Sequence, residues 1–225
     1  MQQAWSPVGA VQGLVDTRSV YDHLFSIYVP IAVGVFALIF VVVLAAVLIF
    51  RRRPPERAAR WYEANPIEGT YAVLLTCVAA FLLYLTFTAE HKVDTVANRQ
   101  RPVVVIDVTG AKWEWTFSYP AYRFSVRSGT VGRQPLVVPA GVPVRFQISS
   151  IDVIHSFWIP ALRYKHDAIP GSVQIATLAF RPGVFAGQCA EFCGLRHADM
   201  VFVAHAVNPA AFATWARRRG TVRTP

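Results

Sequence analysis

The sequence predicts a two-helix transmembrane hairpin followed by an all-β sandwich or Greek-key barrel and a short C-terminal helix. Three observations lead there. Residues 1–90 hold two long apolar runs without a charge. Beyond residue 101 the texture changes to short β-type runs broken by Gly and Pro. The last residues carry start and stop signals of a helix. The composition agrees: of 225 residues 54% are hydrophobic and 16% charged, where average soluble domains carry about a quarter charged residues. That excludes intrinsic disorder and disfavours an ordinary soluble globule.

The first run spans Leu24–Phe50, 27 residues without a charge. Crossing the hydrocarbon takes about 20 helical residues, so it spans with some tilt. Pro30 lies near its start, where a helix tolerates proline best. The second run, Gly69–Ala89, has 21 residues and is bracketed by Glu68 and Glu90. The first run starts too late and is too long for a cleaved signal peptide, and no basic segment precedes it. The intervening loop 51–68 carries five arginines against Arg18 alone in residues 1–23. The positive-inside rule therefore puts the loop in the cytoplasm and both termini outside. The expected organisation is an external segment 1–23, a hairpin 24–90 with spans 24–50 and 69–89, a polar linker 91–101, and an external domain 102–225.

In that last domain the expected strands are Val103–Val108, Lys112–Phe117, Tyr122–Val126, Leu136–Val138, Val144–Ile148, Ser172–Ala179 and Val201–Val207, with turns such as Val138-Pro139-Ala140-Gly141 between them. Asn208 suits an N-cap, Pro209 the first helical position, Arg217–Arg219 the last turn and Gly220 the C′ site. Residues 1–90 hold six Lys/Arg and six Asp/Glu, so the whole net charge of +9 lies in residues 91–225. A basic domain of this kind could suggest nucleic acid, but the apolar half argues for a membrane instead.

The chemistry concentrates in Cys189-Ala190-Glu191-Phe192-Cys193-Gly194-Leu195-Arg196-His197-Ala198-Asp199-Met200. Two thiols, an imidazole and a thioether fall within one short loop, and His155 lies upstream in Asp152-Val153-Ile154-His155-Ser156. Soft thiolate and thioether ligands with imidazole select copper. One Cys, two His and one Met make a mononuclear set; a second Cys lets two thiolates bridge two metals. Charge shared over two metals and two sulfurs changes the geometry little between redox states, as an electron relay requires.

This loop resembles the dinuclear copper (CuA) motif of cytochrome c oxidase subunit II, Cys-x-Glu-x-Cys-x-x-x-His-x-x-Met, with every defining position matched. Asp152–Ser156 is similar to that family's first-histidine segment. Lys165-His166-Asp167-Ala168-Ile169-Pro170-Gly171 resembles its Lys-x-Asp-Ala-x-Pro-Gly turn. Lys112-Trp113-Glu114-Trp115 is similar to its Gln-Trp-x-Trp stretch, with Lys112 in place of Gln. Ser172 stands where the family often has Arg.

The resemblance implies a cupredoxin-like domain and assigns roles. Cys189 and Cys193 are the bridging thiolates, and His155 and His197 each bind one copper. Met200 and the backbone carbonyl of Glu191 are weak ligands. The Glu191 side chain reaches a magnesium ion shared with subunit I. Trp113 receives electrons from cytochrome c. Glu68 matches an acidic residue at the mouth of a proton pathway. The implied partners are the haem-bearing oxidase subunit I, subunit III, a cytochrome c and membrane lipid; the implied location is a bacterial plasma membrane. Residues 91–225 hold 16 Lys/Arg against seven Asp/Glu, which disfavours a basic cytochrome c and suggests an acidic or membrane-tethered donor, or apolar docking.

Plainer readings exist for each residue. Cys189 and Cys193 could form a disulfide, which the external compartment permits, or join a structural zinc site, although Met is a poor zinc ligand. His155 and Met200 could simply pack, Trp113 could share a strand face with Trp115, and Glu68 could be an interfacial charge. Cys77 reads as a small apolar residue, and His166 lies in the turn nearest the proposed site. A membrane-anchored copper chaperone or thiol–disulfide assembly factor is the competing function. The copper subunit of a nitric oxide reductase stays open, while a quinol-oxidase relative lacks the copper ligands present here. No Cys-x-x-Cys-His occurs in the sequence, so no haem c attachment motif is present.

Overall fold

A computed structural model describes residues 17–51, 65–99 and 101–221. Its contacts divide into two units, one covering Ser19–His91 and the other including Lys92–Pro225.

The first unit holds most of two long helices, α1 (Thr17–Phe50) and α2 (Asn65–Arg99). Both are long and apolar enough to cross a membrane. Their apolar side chains point outward: Phe36, Leu38, Val73 and Leu74 are all exposed. Such a surface is stable only against lipid or other apolar helices. A polar clasp joins the pair. Tyr28 Oη donates to the Leu82 carbonyl at 2.7 Å and lies 2.5 Å from Thr86 Oγ1. In hydrocarbon, a phenol needs such a partner.

Two boundaries differ from expectation. α1 begins at Thr17 rather than near Leu24, and α2 runs through Arg99, so the polar stretch 91–99 continues the helix instead of forming a linker. Hydropathy marks only the part of a helix that suits lipid; a polar continuation costs the backbone nothing. Most of the 51–68 loop and residues 1–16 lie outside the described residues.

The second unit is a two-sheet cupredoxin-like sandwich followed by a short helix. Its strands are β1 (Val104–Ala111), β2 (Glu114–Tyr119), β3 (Phe124–Gly129), β4 (Leu136–Pro139), β5 (Pro143–Ser150), β6 (His155–Ile159), β7 (Tyr164–Ala168), β8 (Gln174–Ala179), β9 (Gly183–Cys189) and β10 (Val201–Val207). One sheet has the order β3-β2-β1-β5-β8 and the other β4-β10-β9-β6-β7. Parallel pairings β1–β5 and β4–β10 accompany the otherwise antiparallel ladders.

Alternation along the strands builds the core. Ile106 and Val108, Trp115 and Phe117, Phe146 and Ile148 face inward from one sheet; Phe157, Phe202 and Ala204 meet them from the other. Phe157 stacks on Phe202 with ring centroids 4.9 Å apart, and Trp115 meets Phe157 edge-on at 5.7 Å. Offset and edge contacts of this kind add to area burial.

β6, β7 and β9 were not among the expected strands. β7 reads Tyr-Lys-His-Asp-Ala and sits at a sheet edge, where polar residues are tolerated. β9 contains two glycines. Gly187 is required because a Cβ there would collide with the Phe202 ring.

The closing helix α3 (Pro209–Thr221) starts as expected: Asn208 Oδ1 accepts the Ala211 amide at 2.8 Å, a side-chain N-cap. It does not stop at Gly220, which lies inside the helix. Gly220 serves packing instead, since a Cβ there would strike the Tyr122 carbonyl. Phe212 and Ala216 are buried and anchor α3 to the sandwich.

Candidate metal centre

The site forms where the β9–β10 loop folds over the start of β6. The loop is drawn shut by the Cys189 amide, which donates to the Met200 carbonyl at 2.9 Å, and by Ala190 N to Ser156 O at 3.0 Å. A 3₁₀ turn at His197–Asp199 brings the chain back, with the His197 amide bonded to Gly194 O at 3.1 Å. Gly194 sits at φ 112°, a conformation that disfavours any side chain.

Inside this loop Cys189 and Cys193 are both free and buried. Their sulfurs lie 3.9 Å apart. His155 Nδ1 is 3.8 Å from Cys189 Sγ, and His197 Nδ1 is 3.5 Å from Cys193 Sγ. Met200 Sδ is 3.9 Å from Cys193 Sγ. The Glu191 carbonyl accepts the Cys189 thiol at 3.2 Å, while its side chain is exposed. Ligand atoms of His155, Cys189 and Cys193 fall within 4.8 Å of one another. His155 and Met200 are fully buried.

The donor chemistry fits copper. The separation of the sulfurs is below twice a metal–thiolate bond of about 2.3 Å, so one ion can touch both. Each sulfur also has its own imidazole, and the remaining donors, a soft thioether and a harder backbone carbonyl, are both weak ligands that copper sites tolerate.

The two thiols differ in acidity. Burial pushes the Cys189 thiol up, but hydrogen bonds with the His155 and Cys193 side chains and the backbone of Ser156 and Glu191 outweigh it and bring it down to about 7. Burial raises Cys193, and the neighbouring Cys189 charge raises it further, to about 12. Holding both sulfurs as thiolates side by side calls for a cation between them.

Two residues to which the sequence assigned no part in the metal site shape it. Gly110 of β1 lies under the His155 ring; a Cβ there would sit 2.9 Å from His155 Cδ2. The edge-on Trp115 ring, 6.0 Å from the imidazole, backs the same histidine. A glycine just beyond the expected strand Val103–Val108 was the available signal for such a close approach.

Trp113, in the β1–β2 turn, donates its indole N–H to the Cys193 carbonyl at 3.2 Å and is half-buried. His166 lies in β7 opposite Phe157, and its ring is 6.1 Å from that of Tyr164; it is not in the cluster of ligand atoms. Cys77 is an exposed free cysteine of α2. Glu68 occupies the first turn of α2 and is exposed; a carboxylate there suits the helix dipole.

The fold and this thiolate–imidazole loop define a cupredoxin-like domain with a copper-type donor set. Residues 104–207 match the family described as "Cytochrome C oxidase subunit II, periplasmic domain". The periplasmic domain of subunit II of cytochrome oxidase from Bradyrhizobium japonicum superposes with a TM-score of 0.52 at 32% identity, over 54% of this chain and 96% of that one. The chain is 30% identical to "Cytochrome c oxidase subunit 2, mitochondrial" of Glycine max, over 95% of its own length and 57% of the relative's. It is 28% identical to "Cytochrome c oxidase subunit 2" of Arabidopsis thaliana, over 95% of this chain and 86% of that one. It thus spans less than two thirds of the soybean relative. The chain belongs to the cytochrome c oxidase subunit II family.

Proposed function

We propose that this chain is the electron-receiving subunit of a haem–copper terminal oxidase in a bacterial plasma membrane, with the β domain on the outer side. It accepts single electrons from a cytochrome c and hands them to haem in subunit I, where oxygen is reduced to water and protons are pumped. The supporting observation is the convergence of two free buried thiols, each with its own imidazole within 3.8 Å.

In this reading Cys189, Cys193, His155 and His197 would hold a copper pair, with Met200 and the Glu191 carbonyl as weak further ligands. Bound copper would supply a one-electron store. The chain's residues supply position and a dry surround. Trp113 receives the electron, since its indole is bonded directly to the Cys193 carbonyl. The exposed Glu191 carboxylate serves a magnesium ion shared with subunit I, and Glu68 marks the mouth of a proton path. Lipid and the partner subunits I and III would meet the exposed faces of α1 and α2.

The test is metal content and electron paramagnetic resonance of the full chain in detergent. A copper pair sharing one unpaired electron is expected. A single labile Cu(I) held only by the reduced protein would point to a copper chaperone instead, and a Cys189–Cys193 disulfide as the stable form would refute the reading.

A further inference from the structure

Asp152, in the loop before β6, gathers donors from several directions. Its Oδ1 accepts His155 Nε2 at 2.9 Å and the Val153 amide at 2.7 Å, with Ser150 Oγ at 3.3 Å. Its Oδ2 accepts the Lys112 amide at 2.8 Å. One carboxylate is therefore shared between a buried imidazole and the turn that carries Trp113.

Both carboxylate oxygens of Asp152 accept backbone N–H groups, Oδ1 from Val153 and Oδ2 from Lys112, and a neutral imidazole has a single N–H to give. The proton of neutral His155 must then sit on Nε2. That leaves Nδ1, the nitrogen facing Cys189 Sγ, with a free lone pair. The ring has no room to turn over: it is fully buried, pressed on the bare backbone of Gly110 and backed by Trp115.

We propose that Asp152 is the positioning residue of this site: it fixes His155 in the Nε2–H tautomer that presents Nδ1 as a ligand, and ties that imidazole to the Lys112–Trp113 turn. The tautomer stands on the hydrogen bonds alone; its use for copper rests on the function proposed above. The Trp113 turn thereby reaches both sulfur–imidazole pairs, one through the indole to Cys193 O and the other through the Lys112 amide, Asp152 and His155.

The test starts on the metal-free full chain in detergent, labelled with ¹⁵N-histidine and held at mildly alkaline pH. Long-range ¹H–¹⁵N correlation should show His155 protonated on Nε2 and bare on Nδ1. An Nδ1–H signal, or an averaged one, overturns the proposal without any variant.

The Asp152→Asn variant comes next. An amide cannot accept from His155 and Lys112 on opposite ends, because one end is itself a donor. Its His155 tautomer should invert or mix, and copper affinity should fall about 10–100-fold, the usual cost of losing such a partner. The copper hyperfine pattern should change as well. Asp152→Glu, which keeps two acceptors, should restore the Nε2–H tautomer. An Asn variant with the parental tautomer, affinity and spectrum overturns the proposal. A parental protein with the Nε2–H tautomer that takes up no copper overturns the functional reading and leaves the tautomer assignment standing.

Discussion

Gly110→Ala tests how tightly the fold dictates the site. The new Cβ would lie 2.9 Å from His155 Cδ2, 3.1 Å from Cγ and 3.3 Å from Cβ, whereas ordinary contact begins at 3.4 Å. The ring must retreat by about half an ångström. It has nowhere to go, being held by Asp152 at 2.9 Å on one side and flanked by Trp115 on the other. Overpacking of this kind costs about 1–3 kcal/mol. Replacing a strand glycine by alanine returns about 0.5–1 kcal/mol of backbone entropy. The net loss of stability is therefore small, about 0–2.5 kcal/mol, and the variant should fold. The metal site should suffer more, because the displaced ring carries Nδ1 away from its place beside Cys189 Sγ. Urea unfolding followed through the β-domain tryptophans measures the first effect. Copper titration with paramagnetic resonance measures the second. A variant that binds copper with parental affinity and an unaltered spectrum would show that Gly110 does not shape the His155 position.

Cys193→Ser should abolish the shared-electron copper signal while leaving the far-ultraviolet circular dichroism intact, since the side chain is nearly isosteric; a persisting signal removes Cys193 from the bridge. Trp113→Phe keeps an aromatic ring but loses the bond to Cys193 O, so stopped-flow reduction by cytochrome c should slow while the copper spectrum holds; unchanged rates take Trp113 off the route. Asn208→Ala removes the N-cap of α3 and should cost about 0.5–2 kcal/mol in urea unfolding; no loss would mean that packing of Phe212 and Ala216 alone holds the helix.

The metal loop was legible because its chemistry is local: Cys189 to Met200 lie on one short stretch, and no packed core needs two thiols, an imidazole and a thioether so close. The two apolar helices were legible from length alone. The expected ends failed where another force decides. Gly220 reads as a helix stop, yet it is helical and glycine because Tyr122 O leaves no room for a Cβ. β7 and β9 lack a clean alternation because one is an edge strand and the other passes beneath Phe202. Asp152 and Gly110 escaped notice as site-shaping residues because their partners, Lys112 and His155, meet them only after β1 has paired with β5. Contacts across such pairings leave no periodicity to read.

The pairing of Phe157 with Cys189 carries a further consequence. Successive side chains of a strand point to opposite faces, so a slip of one residue between β6 and β9 would turn His155 to the far side of its sheet. The same slip would bring Ser156 to the inner face. The slip would also take Phe157 off Phe202, so a mispaired sandwich would lose the copper site and its core together. Metal uptake is in effect a proofreading step on the alignment of two distant stretches of chain.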